Sequence, residues 1–245
     1  MKRFATVIMA AGKGTRMKSD LAKVLHPING RPMVHYVIDL AEEAGCEKTV
    51  LVIGHQKEKV METCADRNVL FAIQEPQLGT GHAVQMTEKH LTGFTGDVMV
   101  LSGDVPLLSL DTVNKLLRTH QENNAIATLL TAELDDPTGY GRVMRNDSGR
   151  VARIVEHKDA SEEERNIKEI NVGIYVFKAA ELFKTLKLIK NDNVQGEYYL
   201  PDVVKMYVDR GEHVVAQLAA NFDETRGINT VDQLKTAETI FLSRR

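Results

Sequence analysis

Through the first half of the chain, runs of four to six mainly apolar residues alternate with longer amphipathic stretches. The runs Ala5–Ala10, Thr49–Ile53, Leu70–Ile73 and Val98–Leu101 are rich in β-branched side chains and predict strands buried on both faces. Met33–Ala44, Glu58–Ala65, Ala83–His90 and Thr112–Gln121 place apolar residues at helical spacing and predict helices. This alternation predicts an α/β fold: a Rossmann-like mixed, mainly parallel sheet flanked by helices, with ligands at the carboxyl ends of the strands. Beyond Asn123 the texture becomes strand-rich, with runs at Ala125–Ala132, Arg142–Arg145, Val151–Glu156 and Ile170–Phe177 and a hairpin signal at Asn146-Asp147-Ser148-Gly149. Helices over Ala180–Lys187, Leu200–Arg210 and Val231–Leu242, with a strand at Val214–Leu218, complete the pattern. No Pro/Gly/Ser-rich linker, low-complexity tract or internal repeat interrupts it, so residues 1–245 are expected to form one domain.

The first strand opens directly onto Ala10-Ala11-Gly12-Lys13-Gly14-Thr15-Arg16-Met17, and Lys23 follows after a short polar stretch. Gly12 and Gly14 let the backbone approach a polyphosphate closely and turn its N–H groups inward, while Lys13, Arg16 and Lys23 supply charge. Two better-known phosphate loops are excluded. A P-loop needs Lys after its second glycine, but Lys13 lies between the two; a dinucleotide fingerprint needs a third small residue where Met17 stands. The segment therefore reads as a nucleotide site of another type.

Bulk properties narrow the partners. A net charge of −3 over 245 residues gives no global pull toward nucleic acid or lipid headgroups, so the basic loop acts as a local cluster. No signal-peptide core or membrane-length apolar span is present, and neither nucleic acid nor membrane is expected as a partner. Cys46 and Cys64 form no paired spacing and read as reduced thiols of a cytoplasmic protein. The eight histidines lack metal-ligand spacing, and no Ser-His-Asp or Cys-His signature appears. Asp104, just after the apolar run Val98–Leu101, places a carboxylate at a strand end, where a hard oxygen suits Mg2+. Gln74 and the Gln77–Gly81 loop offer an amide donor and acceptor to a pyrimidine edge.

Taken together, the glycine loop with Leu21-Ala22-Lys23-Val24-Leu25 resembles the signature of sugar-1-phosphate nucleotidylyltransferases. The likeness is strongest to the uridylyltransferase half of the bacterial bifunctional enzymes that make UDP-N-acetylglucosamine. Gln77-Leu78-Gly79-Thr80-Gly81-His82-Ala83, Gly103-Asp104-Val105-Pro106-Leu107, Asp136-Pro137-Thr138-Gly139-Tyr140-Gly141-Arg142, Ile154-Val155-Glu156-His157-Lys158-Asp159, Glu169-Ile170-Asn171-Val172-Gly173 and Gln195-Gly196-Glu197-Tyr198-Tyr199-Leu200 recur in the family's order over nearly the whole chain.

The resemblance implies Mg2+-dependent transfer of a nucleotidyl group from UTP to N-acetylglucosamine 1-phosphate. Residues 1–123 would form the nucleotide-binding lobe and 124–245 a strand-rich sugar-binding lobe. Arg16 and Lys23 are the expected catalytic cations, on the β- and α-phosphates respectively. Ala10, Ala11, Gly12, Gly14, Gln74, Gln77, Gly79 and Thr80 would hold the nucleotide, and Gly103, Gly141, Glu156, Asn171 and Tyr198 the sugar. Asp104 and Asn229 would ligate the metal, although Asn229 could instead cap the helix beginning at Val231, and Thr80 could cap a helix of its own. Two departures concern the sugar: Ser102 stands where the closest relatives carry Tyr, and Val172 replaces a Thr. They keep another sugar phosphate or nucleotide open. A non-catalytic nucleotide-sugar sensor is the rival of another class, opposed by the presence of both Lys23 and Asp104. No hexapeptide repeats follow up to Arg245, so acetyltransferase activity is expected to be absent and the chain to be a monomer or weak dimer.

Overall fold

The computed structural model describes residues 3–244; Met1, Lys2 and Arg245 lie outside the described residues. The first half builds β1 (Phe4–Met9), α1 (Met33–Glu43), β4 (Thr49–Ile53), α2 (Lys57–Thr63), β5 (Leu70–Ile73), α3 (Thr80–Gln85), β6 (Asp97–Ser102) and α4 (Leu110–Glu122). Between β1 and α1, β2 (Pro27–Ile28) and β3 (Arg31–Pro32) form a short antiparallel ribbon. The second half adds β7 (Ala127–Glu133), β8 (Gly141–Arg145), β9 (Val151–Val155), α5 (Glu162–Arg165), β10 (Glu169–Lys178), α6 (Ala179–Leu186), α7 (Pro201–Asp209), β11 (Val214–Leu218) and α8 (Val231–Ser243).

The main sheet runs β11-β7-β10-β6-β1-β4-β5, with the β8–β9 hairpin attached to β10. Strands β6, β1, β4 and β5 are parallel, whereas β10 lies antiparallel between β6 and β7. One sheet thus crosses position 123, because β10 from the second half pairs with β6 from the first. The order β5-β4-β1-β6 reverses direction at β1, and the crevice beyond the ends of β1 and β6 is where such sheets bind ligands.

Burial on both sheet faces follows from the strand period of two. In β1, Ala5 and Val7 join the cluster that holds α6 and α7, through Leu182, Val203 and Tyr207. Phe4 and Ile8 join the opposite cluster with α1 and α4, through Val37, Ile38, Leu116 and Leu117. A third, small cluster of Ile28, Met33, Leu107, Ile228 and Ala237 fastens α8 over the β2–β3 ribbon. The expected helix over residues 83–90 is shorter and earlier: α3 ends at Gln85, and a 3-10 turn follows at Glu88–His90. Thr87 is the physical reason, since its hydroxyl donates to the Val84 carbonyl at 2.6 Å in place of regular helix continuation. Helix α5 is absent from the sequence expectation because its capping box, Ser161 with Glu164, precedes no apolar periodicity.

Candidate active site

The loop after β1 is shaped by its glycines and held by a distant glutamine. Gly14 adopts φ 63° and starts the 3-10 turn Thr15–Met17; a Cβ there would stand 2.5 Å from Lys23 Cβ, so glycine gives the lysine stem its path. Gln56, itself left-handed at φ 51°, accepts from Ala22 N–H at 2.8 Å and donates to the Asp20 carbonyl, clamping the segment that leads to Lys23. Met17 is buried at 1% exposure and anchors the turn, leaving Arg16 exposed above it.

Asp104 follows β6 with its carboxylate 9% exposed. Its Oδ1 accepts from Ser102 Oγ at 2.6 Å, and its Oδ2 accepts from Lys23 Nζ. Lys23 Nζ also donates to Asn229 Oδ1 at 3.0 Å, and Arg16 Nη2 donates to that same oxygen at 2.9 Å. Asn229 reaches the group because Ile228 N–H bonds the Asp104 carbonyl at 2.9 Å while Ile228 is fully buried. The cap of α8 is Thr230 in a capping box with Gln233, so the alternative of Asn229 as the cap is overturned and its side chain is free to face the cations.

Two cavities meet at this cluster. One, of about 260 Å³, is lined among others by Ala10, Ala11, Gly12, Lys23, Gln74, Gln77, Gly79, Thr80 and Asp104. The other, of about 340 Å³, is lined by Gly141, Glu156, Asn171, Val172, Tyr175 and Asn229 among others. Met9 and Thr80 line both. Most of the nucleotide set therefore converges on the first cavity, and Gly141, Glu156 and Asn171 on the second.

Local bonds define what each residue can still offer. Gln74 donates to the Gly79 carbonyl at 2.8 Å and contacts His82 Nδ1 at 3.2 Å, so both amide hydrogens brace the loop and its carbonyl oxygen remains for a ligand. Gln77 donates to the Ala11 carbonyl at 3.0 Å and ties the two loops together. Asn171 donates to the buried Tyr175 hydroxyl at 2.6 Å across an irregularity in β10, which brings both side chains to the cavity wall. Burial pushes the Glu156 carboxyl above its ordinary 4.5, and Asp159, Asp202 and Glu197 push the same way. Tyr140 packs edge-on to Phe222 at 5.9 Å, and Phe222 carries the Arg226 guanidinium at 4.8 Å, linking the Gly141 loop to the Asn229 loop.

One expectation is corrected, that of Thr80 as a cap, and two residues stand outside the two cavities. Gly103 lines neither cavity: its N–H bonds the Met9 carbonyl at 2.9 Å, and a Cβ would press on Met9, Val24 and Ala10, so it packs strand ends together. The Tyr198 ring packs against the core, and its backbone does the work, donating to Leu78 O at 2.8 Å and accepting from Gly81 N–H at 2.7 Å. Thr80 is not its own helix's cap, which is Gly79; its hydroxyl accepts from Leu200 N–H at 3.0 Å beside α7. Glu197 and Tyr175 line the cavities without having been singled out from sequence, and Ser102, a departure expected to concern the sugar, lines the first cavity. Of these, Glu197 had a signal, its place in the Gln195–Leu200 motif.

Residues 5–223 match the nucleotidyl transferase family. The chain belongs to that family. The family match ends short of Asn229, whose place in the site rests on the geometry above. Among curated relatives of this nucleotidyl transferase, the bifunctional protein GlmU of Exiguobacterium sp. AT1b is 52% identical over 244 residues, covering 100% of this chain and 54% of that protein. The bifunctional protein GlmU of Bacillus licheniformis is 50% identical, covering 100% of this chain and 53% of the relative. The chain spans about half the length of the curated relatives it matches. In fold it is similar to a UDP-glucose pyrophosphorylase solved with UDP-glucose, at TM-score 0.77 and 19% identity, covering 99% of this chain and 100% of the other. A glucose-1-phosphate thymidylyltransferase of Bacillus anthracis, described as putative in its structure report, gives TM-score 0.77 at 18% identity, covering 97% and 94% respectively. Among the described residues no helix is long and apolar enough to cross a membrane. Cys46 and Cys64 are both free, and burial pushes the Cys64 thiol up to about 11.

Proposed function

We propose that this nucleotidyl transferase joins UTP to N-acetylglucosamine 1-phosphate, releasing pyrophosphate and forming UDP-N-acetylglucosamine, with Mg2+ held by Asp104 and Asn229. The observation that carries this reading is the junction of two cavities at Lys23, Asp104 and Asn229. Each cavity takes one substrate, and the phosphorus to be transferred lies between them. The sugar phosphate oxygen attacks the α-phosphorus, a new P–O bond forms, and the bond to the β-phosphate breaks as pyrophosphate leaves.

Every reacting group is anionic, so positioning and charge neutralisation supply the catalysis and no protein nucleophile is needed. Lys23 meets charge on the α-phosphate and Arg16 on the β-phosphate. Backbone N–H groups of the Ala10–Gly14 loop follow the phosphates, and the Gln74 carbonyl oxygen accepts from the uracil N–H. Glu156 and Asn171 bind sugar hydroxyls and the acetamido group beside the Gly141 backbone. One carboxylate and one amide oxygen converging on a single cation fit Mg2+, which takes few protein ligands and completes its shell with water and phosphate. Among the described residues no group of three or more His, Cys, Asp or Glu forms a richer metal cage. When bound, the ion neutralises and orients the phosphates. The free thiols accord with a cytoplasmic setting.

The Ser102 departure supports a second reading, the same reaction with another sugar phosphate or nucleotide, since its small hydroxyl lines the first cavity beside Asp104. Pyrophosphate release measured across a grid of sugar 1-phosphates and nucleoside triphosphates separates the two. The largest kcat/KM is expected for UTP with N-acetylglucosamine 1-phosphate. A larger value for glucose 1-phosphate or a deoxynucleotide overturns the sugar or base assignment.

A further inference from the structure

Asp104 offers one oxygen to a cation, and the fold fills that position with a cation of its own. Because Ser102 Oγ donates to Oδ1 at 2.6 Å, Oδ2 is the oxygen left for a cation, and the Lys23 ammonium holds it. The same ammonium takes Asn229 Oδ1 at 3.0 Å, an oxygen that Arg16 also binds at 2.9 Å. These are the two oxygens assigned above to the metal. An octahedral Mg2+ needs its oxygens at about 2.0–2.1 Å and demands their lone pairs, so an ammonium bonded to both competes for the same positions, and the like charges repel.

The lysine has open space beside it. Its side chain is 16% exposed and lines the first cavity, and its unbranched stem passes Gly14, where a Cβ would block it at 2.5 Å. In the nucleotide-free protein the ammonium also keeps the buried Asp104 carboxylate paired, which removes the penalty of an isolated charge at the cavity wall.

We propose that Lys23 and the divalent metal hold the Asp104–Asn229 oxygen pair in alternation, the ammonium in the free protein and the metal once nucleotide phosphates draw Lys23 into the cavity. Ser102 is a positioning residue in this exchange, since its hydroxyl fixes which carboxylate oxygen is contested. The proposal rests on the metal assignment made above, and the two are separable by experiment.

Mn2+ serves as the probe, its binding to nucleotide-free protein read from the loss of the free-ion paramagnetic resonance signal. Wild type binds weakly; Lys23→Met binds at least tenfold more tightly; Lys23→Arg, which keeps a cation, stays weak. Adding Asp104→Asn to Lys23→Met abolishes the gain. Lys23→Gln replaces Lys23→Met should the latter not fold, and the melting temperature gives a second readout, rising with Mn2+ in the neutral variants far more than in wild type. Equal Mn2+ affinity in wild type and Lys23→Met, with Asp104→Asn still weakening Mn2+ binding in the UTP complex, overturns the alternation and leaves the metal assignment standing. If Asp104→Asn leaves Mn2+ binding in the UTP complex unchanged, the metal assignment fails and the alternation fails with it.

Discussion

Strand β6 has an acid at each end, and both acids hold a lysine. Asp97 opens the strand, 3.2 Å from Lys178 Nζ and 3.5 Å from His120 Nε2. Asp104 lies just beyond the other end, against Lys23 and Ser102. Both carboxylates are buried, at 3% and 9% side-chain exposure. What differs is the origin of the partners and what lies past them. His120 and Lys178 come from α4 and β10, elements packed into the sheet, and Asp97 lines neither of the two site cavities. Lys23 opens the short 3-10 turn Lys23–Leu25, Asn229 lies in the loop before α8, and Asp104 faces the cavity. A pair with no cavity beside it stabilises the fold, whereas a pair in a cavity wall can exchange one partner for a substrate or a metal.

Substitution at the two acids should separate these roles, and the largest effect is expected at the cavity. Asp104→Asn lowers kcat by ~10³-fold, the scale of a lost metal contact in phosphoryl chemistry, with partial recovery when Mn2+ replaces Mg2+. Steady-state kinetics across both metals check this, and the melting temperature should move by only a few degrees. Unchanged turnover in Asp104→Asn would place the two acids in one class.

Asp97→Asn should do the reverse, costing about 3 kcal/mol of stability in urea titration while leaving kcat per folded molecule intact, because a buried pair is broken. Burial pushes the Asp97 carboxyl up, but His120 and Lys178 outweigh it and hold the group below its ordinary 3.8. Its contribution is therefore fully present above the ordinary value and is lost as pH falls through the lowered folded value. Wild type should show this acid loss, and Asp97→Asn should show less of it.

These two acids also mark what the sequence makes legible. Asp104 is readable because its evidence is local: an apolar strand, then an acid, then a proline turn. The glycine loop is readable for the same reason, as are most strands and helices, whose periodicity lies within a few residues. What escapes depends on pairings distant in sequence. Nothing near Glu169 announces that β10 inserts antiparallel between β6 and β7, and with it comes the Lys178 that seals Asp97. Gln56 is 34 positions from the Ala22 it clamps, and its left-handed backbone leaves no mark in its residue type. Tyr198 misleads because its motif needs the backbone while the ring packs inward.

The smallest expected effect tests the comparison inside the second cavity. Glu156, unlike Asp97, has a carboxyl raised by burial and by the neighbouring acids Asp159, Asp202 and Glu197, so its ionised form opposes folding at neutral pH. Stability linked to it is present when the group is protonated and is lost as pH rises from 4.5 through the raised folded value. Glu156→Gln should gain stability at neutral pH, seen by calorimetry, while KM for the sugar phosphate rises by ~10-fold. Loss of stability in Glu156→Gln would make this acid structural, like Asp97.

The central claim is that bond exchange occurs at the junction held by Lys23, Asp104 and Asn229. Its most direct test is single-turnover kinetics of Lys23→Ala beside UTP binding to the same variant. If Lys23 meets charge developing during attack, as proposed, the chemical step should slow by ~10²-fold or more while UTP affinity changes by less than about threefold. A normal rate of chemistry with only weakened UTP binding would contradict this, reduce Lys23 to a ground-state phosphate contact and move the transition-state role to Arg16.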